Sequence, residues 1–455
     1  MSLPTGVDGF AGCLAALSIA LLLTQAAPSS AQSPEAFTWP ADLYPILPWD
    51  TQHGFRQPYV HREQGLQSIA DCGFNLAGFV LPRDLPECER LGLKAIMFPD
   101  VENAGAWTRE WRNRSDEEID ELVRTMVQQA GDSEAILGYY IMDEPGARDF
   151  AGLAKAVAAV RKYAPGKLAY INLFPNYATV GAPDTSQLGT DTYMEYLERF
   201  VAEVRPQLVS YDNYMTQVSG DMTEPRATAR YYDNLMDVRR VALDSGLPWW
   251  NIVSSNQIRP HTTVPSPANL LLQAYTTLAA GGSSVAWYKY YADGYAYAPI
   301  DRDGTRTQTW QYLRMVNEQL RTIGPLMNRL TSTGVYFTAD SPPGDLPRLP
   351  GKIVTAVGVD TPVMVGEFSA EDGADWVMVV NLSLKQSARL FLETEGEYTQ
   401  RAYVSPTGGQ LIALDEQNSL ALAPGTKRNL APGGEEYRNG LWLTAGQGLL
   451  LRLQR

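Results

Sequence analysis

Two adjacent carboxylates, Asp143 and Glu144, close the apolar run ILGYYIMDEPGA that begins at Ile136. Paired acids can divide the work of breaking an acetal. One gives a proton to the leaving oxygen, and the other activates water or attacks the carbon. An unbroken apolar run is how a strand buried on both faces reads. Pro145, directly after the pair, has no N–H with which to continue a strand ladder. The two acids therefore sit at the carboxyl end of a strand, where barrel enzymes gather their catalytic groups. The competing reading is a strand end capped by solvated acids, and the other strand ends decide between the two.

Those ends follow from the rhythm of the chain. Strand-like runs at 43–47, 74–81, 93–98, 136–142, 168–173, 208–211, 249–253 and 285–291 alternate with helical patterns at 61–72, 85–91, 115–129, 150–163, 190–204, 227–245, 268–280 and 308–320. The helix at 115–129 has the clearest start signal, Ser115 as N-cap with Glu118 three residues on. Strands alternating with helices imply a parallel sheet, and eight of them imply closure into a (β/α)8 TIM barrel over residues 32–329. From about residue 330 the helical patterns stop. Short alternating runs between Gly, Pro and Asp turns then predict an all-β sandwich domain over 330–455.

In a closed barrel the residues after each strand face one crevice. They are Trp49 and Asp50; Pro82 and Arg83; Asp100 and Glu102; Asp143 and Glu144; Asn172, Asn176 and Tyr177; Asp212, Asn213 and Tyr214; Ser254, Asn256 and Gln257; and Trp287, Tyr288, Lys289, Tyr290 and Tyr291. Amides hydrogen-bond hydroxyls, and aromatic rings with a polar tip stack on polar ring-shaped ligands. Trp49, Asp50, Asp100, Asn172, Asn213, Tyr214, Asn256, Gln257, Trp287, Tyr288 and Tyr291 are accordingly the candidate substrate contacts. The opposite strand ends, such as Gly92-Leu93 and Gly246-Leu247-Pro248, read as plain turns. The pattern is that of a sugar site.

Composition narrows the partners. A net charge of −14 argues against nucleic acid and anionic membrane surfaces. Only three His are present, at 53, 61 and 261, which disfavours a Ser-His-Asp hydrolase. No zinc-ligand spacing and no phosphate-cradling glycine loop occurs, so no metal or cofactor is expected. Residues 13–27 form an apolar stretch too short to span a bilayer comfortably, followed by small residues at 29 and 31. A signal peptide over 1–31 and a secreted or periplasmic protein beginning near Gln32 are expected, although the leader lacks Lys and Arg and carries Asp8. Cys72 and Cys88 then remain, either as a disulfide or as two buried thiols.

The fourth-strand run ILGYYIMDEPG resembles the Asn-Glu-Pro signature of clan A glycoside hydrolases. The order of leader, barrel and small sandwich is similar to secreted bacterial proteins loosely grouped with glycoside hydrolase family 42. That resemblance implies glycosidase activity, with Glu144 as acid/base and Trp287 as the aromatic platform beneath the sugar. Two departures stand out: Asp143 occupies the place of the Asn, and the seventh strand, NIVSSNQ, lacks the Glu nucleophile.

The second carboxylate is therefore open. Asp212, in SYDNY two strands on from Glu144, leads. Asp143 is its rival, and Asp50, Asp100 and Glu102 are further options. Strand alternation predicts that Asp143 and Glu144 point to opposite faces. Asp143 then serves to raise the Glu144 pKa by like charge. A carboxyl separation of about 5–5.5 Å implies retention, and about 6.5–9.5 Å implies inversion, the outcome favoured here. The leading reading is a secreted glycoside hydrolase acting on an oligo- or polysaccharide. The alternatives are a non-catalytic carbohydrate-binding barrel and a polysaccharide lyase, the latter using Tyr or Lys289 as base with Arg83 or Arg259 as clamp.

Overall fold

The computed structural model describes residues 37, 39–49, 63, 65–98, 111–219, 224–292, 294–338, 341–358, 361–414, 427–430, 434–437 and 441–455. The expected signal segment lies outside the described residues, as do Asp50, Asp100 and Glu102. In chain order the first part comprises β1 (Ile46–Pro48), α1 (Leu66–Asp71), β2 (Leu76–Val80), α2 (Leu85–Leu91), β3 (Lys94–Met97), α3 (Asp116–Ala130), β4 (Ile136–Asp143) and α4 (Phe150–Tyr163). It continues with β5 (Leu168–Leu173), α5 (Tyr193–Arg199), β6 (Val209–Asp212), α6 (Pro225–Asp244), β7 (Trp249–Ser254), α7 (Pro267–Ala279), β8 (Ser284–Tyr288) and α8 (Gln308–Met327). The start of α3 is built as its residues dictate. Ser115 Oγ accepts from the Glu118 amide at 3.2 Å, and Glu118 Oε2 accepts from the Ser115 amide at 2.8 Å.

The eight strands form one parallel sheet in the order β1-β8-β7-β6-β5-β4-β3-β2. This is a TIM barrel, with β1 and β2 meeting at a seam. Side-chain packing fills that seam: a Cβ on Gly78 would stand 2.6 Å from Leu47 Cδ1, so the bare glycine makes room for the leucine. The interior is packed with aromatics. Trp49 lies edge-on to Phe79 with ring centres 4.7 Å apart, Phe79 meets Tyr140 at 4.5 Å, and Tyr170 meets Trp250 at 5.2 Å. These rings form the floor on which the polar strand ends rest.

α8 runs seven residues past its expected end at 320, through Gly324 and Pro325. Gly324 lets Tyr44 press onto the helix, since a Cβ there would lie 2.2 Å from Tyr44 Cγ. Pro325 falls in the final turn of the helix. The two thiols are free and buried, so the disulfide alternative is set aside.

The second part is antiparallel: β9 (Thr331–Phe337), β10 (Val354–Gly358), β11 (Val363–Ser369), β12 (Asp375–Asn381), β13 (Ala388–Thr394), β14 (Gln400–Val404), β15 (Leu411–Ala413), β16 (Lys427–Leu430), β17 (Gly434–Tyr437), β18 (Leu441–Leu443) and β19 (Gly448–Gln454). A six-stranded sheet, β15-β14-β19-β12-β11-β9, faces a three-stranded sheet, β10-β13-β18. The period-two alternation of strands sorts the large sheet cleanly. Val365, Val377, Val379, Leu451 and Leu453 turn to the small sheet, while Met364, Phe368, Trp376, Met378 and Leu450 join the barrel core. The large sheet is thus buried on both faces. Its barrel side rests on α7, whose backbone it approaches so closely that a Cβ on Gly366 would lie 2.1 Å from the Ala279 carbonyl oxygen. That position explains why α7 is buried from Asn269 to Ala279.

Candidate active site

Three neighbouring strands set the acids in place. Asp143 of β4 is registered against Asn172 of β5, and Asn172 against Ser210 of β6. Asp212 lies two residues beyond Ser210, so both project from the same face of β6. The row is wired by hydrogen bonds. Asn172 Nδ2 donates to Asp143 Oδ1 and to Asp212 Oδ1, each at 3.0 Å. Asn172 Oδ1 accepts from Ser210 Oγ at 3.0 Å, and Ser210 in turn meets the Tyr170 hydroxyl at 3.0 Å. A network from the aromatic floor upward therefore holds one amide, and that amide orients two carboxylates.

Glu144 joins them by leaving the strand geometry. Its amide still donates to the Asn172 carbonyl at 2.8 Å, which continues the β4–β5 ladder, yet its φ is +47°. A left-handed conformation in a non-glycine residue costs roughly 1–3 kcal/mol and persists only where the surroundings impose it. They do so here. The Pro145 carbonyl accepts from the Tyr196 hydroxyl at 2.6 Å, and the Ala147 amide donates to the Leu188 carbonyl at 2.8 Å. A Cβ on Gly146 would come within 2.7 Å of the Gln187 carbonyl oxygen. The twist overturns the expectation that Asp143 and Glu144 face opposite ways, because alternation ends where the strand dihedrals end. Glu144 instead hydrogen-bonds to the Asp212 carboxyl.

The electrostatics follow from this crowding. Burial, then the charges of Glu144 and Asp143, push Asp212 well above the ordinary carboxylate range, against the Asn172 hydrogen bond. Burial and then the Asp143 charge raise Glu144 to about 7, opposed by the hydrogen bond with Asp212. Asp143 is raised to about 6 by desolvation, opposed by Asn172 and by the Glu144 amide. Asp143 keeps a solvent-exposed face, which screens it, whereas Asp212 is only 3% exposed. Two carboxyls in contact cannot both ionise, so the pair holds one proton near neutral pH.

The other expected contacts divide into two groups. Tyr214 and Tyr288 stand at the rim, half-buried, with ring centres 5.2 Å apart, and the Tyr288 hydroxyl meets that of Tyr295 at 2.8 Å. Tyr177 accepts from the Tyr214 amide at 3.2 Å, and burial and the Asp212 charge raise its pKa, which places it beside the acids. Asn256 is fully buried, with both amide atoms lacking a protein partner.

The remaining residues serve the framework. Trp287 is 0% exposed, and its Nε1 donates to Asn317 Oδ1 of α8 at 2.9 Å; it packs outward and is no platform. Tyr288, one residue on, takes the inward aromatic position. Trp49 belongs to the barrel interior. The Asn213 amide is consumed by Asn234 Oδ1, the Arg230 carbonyl and the Met215 amide. Gln257 donates to the Thr262 carbonyl within its own loop, and Tyr291 donates to the Arg302 carbonyl. Asn172 is an orienting residue, reached by substrate only through its acids.

Ser210 and Tyr295 were not singled out from the sequence, and Tyr177 stood among the crevice residues without being taken as a substrate contact. For Ser210 a signal existed, since it stands two before Asp212 on one strand.

No protein-family model matches the chain, and no curated protein sequence does. Solved structures share its fold. Gan42B, a GH42 β-galactosidase from G. stearothermophilus, aligns with a TM-score of 0.58 at 8% identity over 91% of this chain and 98% of its own. A family 5 glycoside hydrolase from Bacteroides vulgatus aligns with a TM-score of 0.53 at 12% identity over 90% and 88% of the two chains. At such identities the likeness is one of fold: a TIM barrel carrying a separate all-β unit.

Proposed function

We propose that this protein is a glycoside hydrolase that cleaves O-glycosidic bonds of an oligo- or polysaccharide, with Glu144 as proton donor. The observation that supports this most is the meeting of Asp143, Glu144 and Asp212 at the carboxyl ends of β4 and β6, wired through Asn172. A carboxyl raised to about 7 is still about half protonated at neutral pH, which suits a general acid. Tyr177, Tyr214 and Tyr288 beside it suit a polar ring-shaped ligand. The fold shared with glycoside hydrolases adds to this reading at the level of architecture. Purified protein screened on a polysaccharide panel should release reducing sugar without the ultraviolet-absorbing unsaturated product of a lyase.

A second reading, a barrel that binds carbohydrate without cleaving it, is favoured by one observation. β7 ends in Ser254, Ser255, Asn256 and Gln257, with no acid. Saturable binding without any product on the same panel would select it. Export is part of the proposal. The apolar stretch and small residues before Gln32 support a cleaved leader, and amino-terminal sequencing of the exported protein that found residues 13–27 retained would contradict it.

A further inference from the structure

Glu144 needs a partner across the sugar ring, and the described wall of the site does not supply one. Asp212 hydrogen-bonds to Glu144, so the two carboxyls stand together on one side of the site and do not face each other across it. Asp143 is tied to that same pair through a single Asn172 Nδ2. All three acids stand on the β4–β6 side. Beyond β6, the ends of β7 and β8 bring Ser254 to Gln257 and Tyr288 to Tyr291, none of them acidic. What the geometry does offer is an oriented, solvent-facing carboxylate directly beside the general acid.

We propose that the substrate is a 2-acetamido sugar whose own amide carbonyl serves as nucleophile, with Asp143 accepting the hydrogen bond of the acetamido N–H. This inference rests on the glycosidase reading above and names its substrate class. An amide at the carbon next to the anomeric centre can close a five-membered ring onto it, so the protein needs no opposed carboxylate; substrate-assisted hydrolysis is a known exception to the two-acid rule. Glu144 gives its proton to the glycosidic oxygen, and the bond from the anomeric carbon breaks with its electron pair going to that oxygen. The acetamido carbonyl oxygen donates a lone pair to the anomeric carbon, forming an oxazolinium whose N–H is held by the Asp143 carboxylate. Water then attacks the anomeric carbon and yields its proton to the Glu144 carboxylate. The bond to the carbonyl oxygen breaks with its pair returning to the amide. One water is consumed, the acetamido group is restored, and configuration is retained. The charge states agree, since Asp143, raised to about 6, is mostly ionised at pH 7, while Glu144, at about 7, retains a large protonated share.

The test uses aryl glycosides of 1,2-trans configuration in matched pairs, 2-acetamido against 2-hydroxy, with the full-length enzyme. The acetamido member should turn over at least about 100-fold faster. Successive fluorination of its acetyl group should slow it stepwise. Asp143→Asn should lower kcat on it by roughly 100-fold with KM little changed, and a thiazoline analogue of the oxazolinium should inhibit. Equal or faster turnover of the 2-hydroxy member would overturn the inference and leave the glycosidase reading standing. Covalent labelling of a carboxylate by a 2-fluoro glycoside, with Asp50, Asp100 and Glu102 as the residues to inspect, would do the same. No turnover of either member, with a negative polysaccharide panel, would remove both.

Discussion

The Glu144 and Asp212 carboxyls hydrogen-bond to each other at the ends of β4 and β6, and Asp143 is joined to the same unit through Asn172. kcat/KM should follow a narrow bell. It falls below about 6, as Asp143 takes up a proton, and above about 7, as Glu144 loses one. Asp143→Asn removes the like charge that raises Glu144 and should move the alkaline limb to lower pH. A pH–rate profile of both proteins checks this; an unmoved alkaline limb would show that Asp143 does not act on Glu144.

Stability should run the opposite way from that of a protein held by surface salt bridges. All three carboxyls are raised, so the folded state binds more protons than the unfolded chain. Their contribution is fully present below the ordinary carboxylate range and is lost as pH rises through the folded values. Asp212→Asn keeps the acceptor for Asn172 and abolishes the buried ionisation. It should raise Tm at pH 8 by about 1 °C, the worth of roughly 1 kcal/mol in a chain of this size, and have less effect at pH 5. Thermal scans at the two pH values measure the difference.

Asn172 offers a test of positioning. Asn172→Ala cuts Asp143 and Asp212 from their shared donor and leaves Ser210 Oγ without its acceptor. A misplacement of about 1 Å in a catalytic group can cost on the order of 100-fold. kcat should fall by about 10- to 100-fold while KM stays within about threefold, because the amide does not reach the sugar. A large rise in KM at constant kcat would make Asn172 a substrate contact after all.

The two aromatic neighbours on β8 should separate in the same manner. Trp287→Phe leaves Asn317 Oδ1 without its donor and should cost about 1–3 kcal/mol of stability without altering KM. Tyr288→Ala opens the rim beside Tyr214 and should raise KM by roughly tenfold, about 1.4 kcal/mol. Denaturation curves and saturation kinetics on both variants show whether the roles are assigned correctly.

Much of the frame was legible because apolar runs and their punctuation are local properties. β5 and α4 have the bounds the sequence suggests, and Pro145 marks where β4 must stop. The side each residue takes was harder to read. Ser284 to Tyr288 is buried or half-buried throughout, so no exposed residue marks the strand's parity, and the tryptophan was assigned to the wrong side. The φ of Glu144 is imposed by Tyr196, Leu188 and Gln187, which lie more than forty residues on. The role of Asn213 depends on Asn234, a full helix away. The extension of α8 past Gly324-Pro325, which reads as a breaker, depends on Tyr44, some 280 residues earlier in the sequence, packing against it.

Glu144→Gln is the most direct measurement of whether this barrel performs acid-catalysed glycoside cleavage. The amide preserves shape and hydrogen bonding to Asp212 but has no proton to give as an acid. On the best substrate from the panel, turnover should drop by about 100- to 10,000-fold, the usual worth of general acid–base catalysis. Binding of the same sugar, followed by calorimetry, should stay within a few-fold of the wild type. An aryl glycoside whose leaving group needs no protonation should recover part of the lost rate. Turnover at the wild-type rate in Glu144→Gln would contradict the assignment of Glu144 as the proton donor.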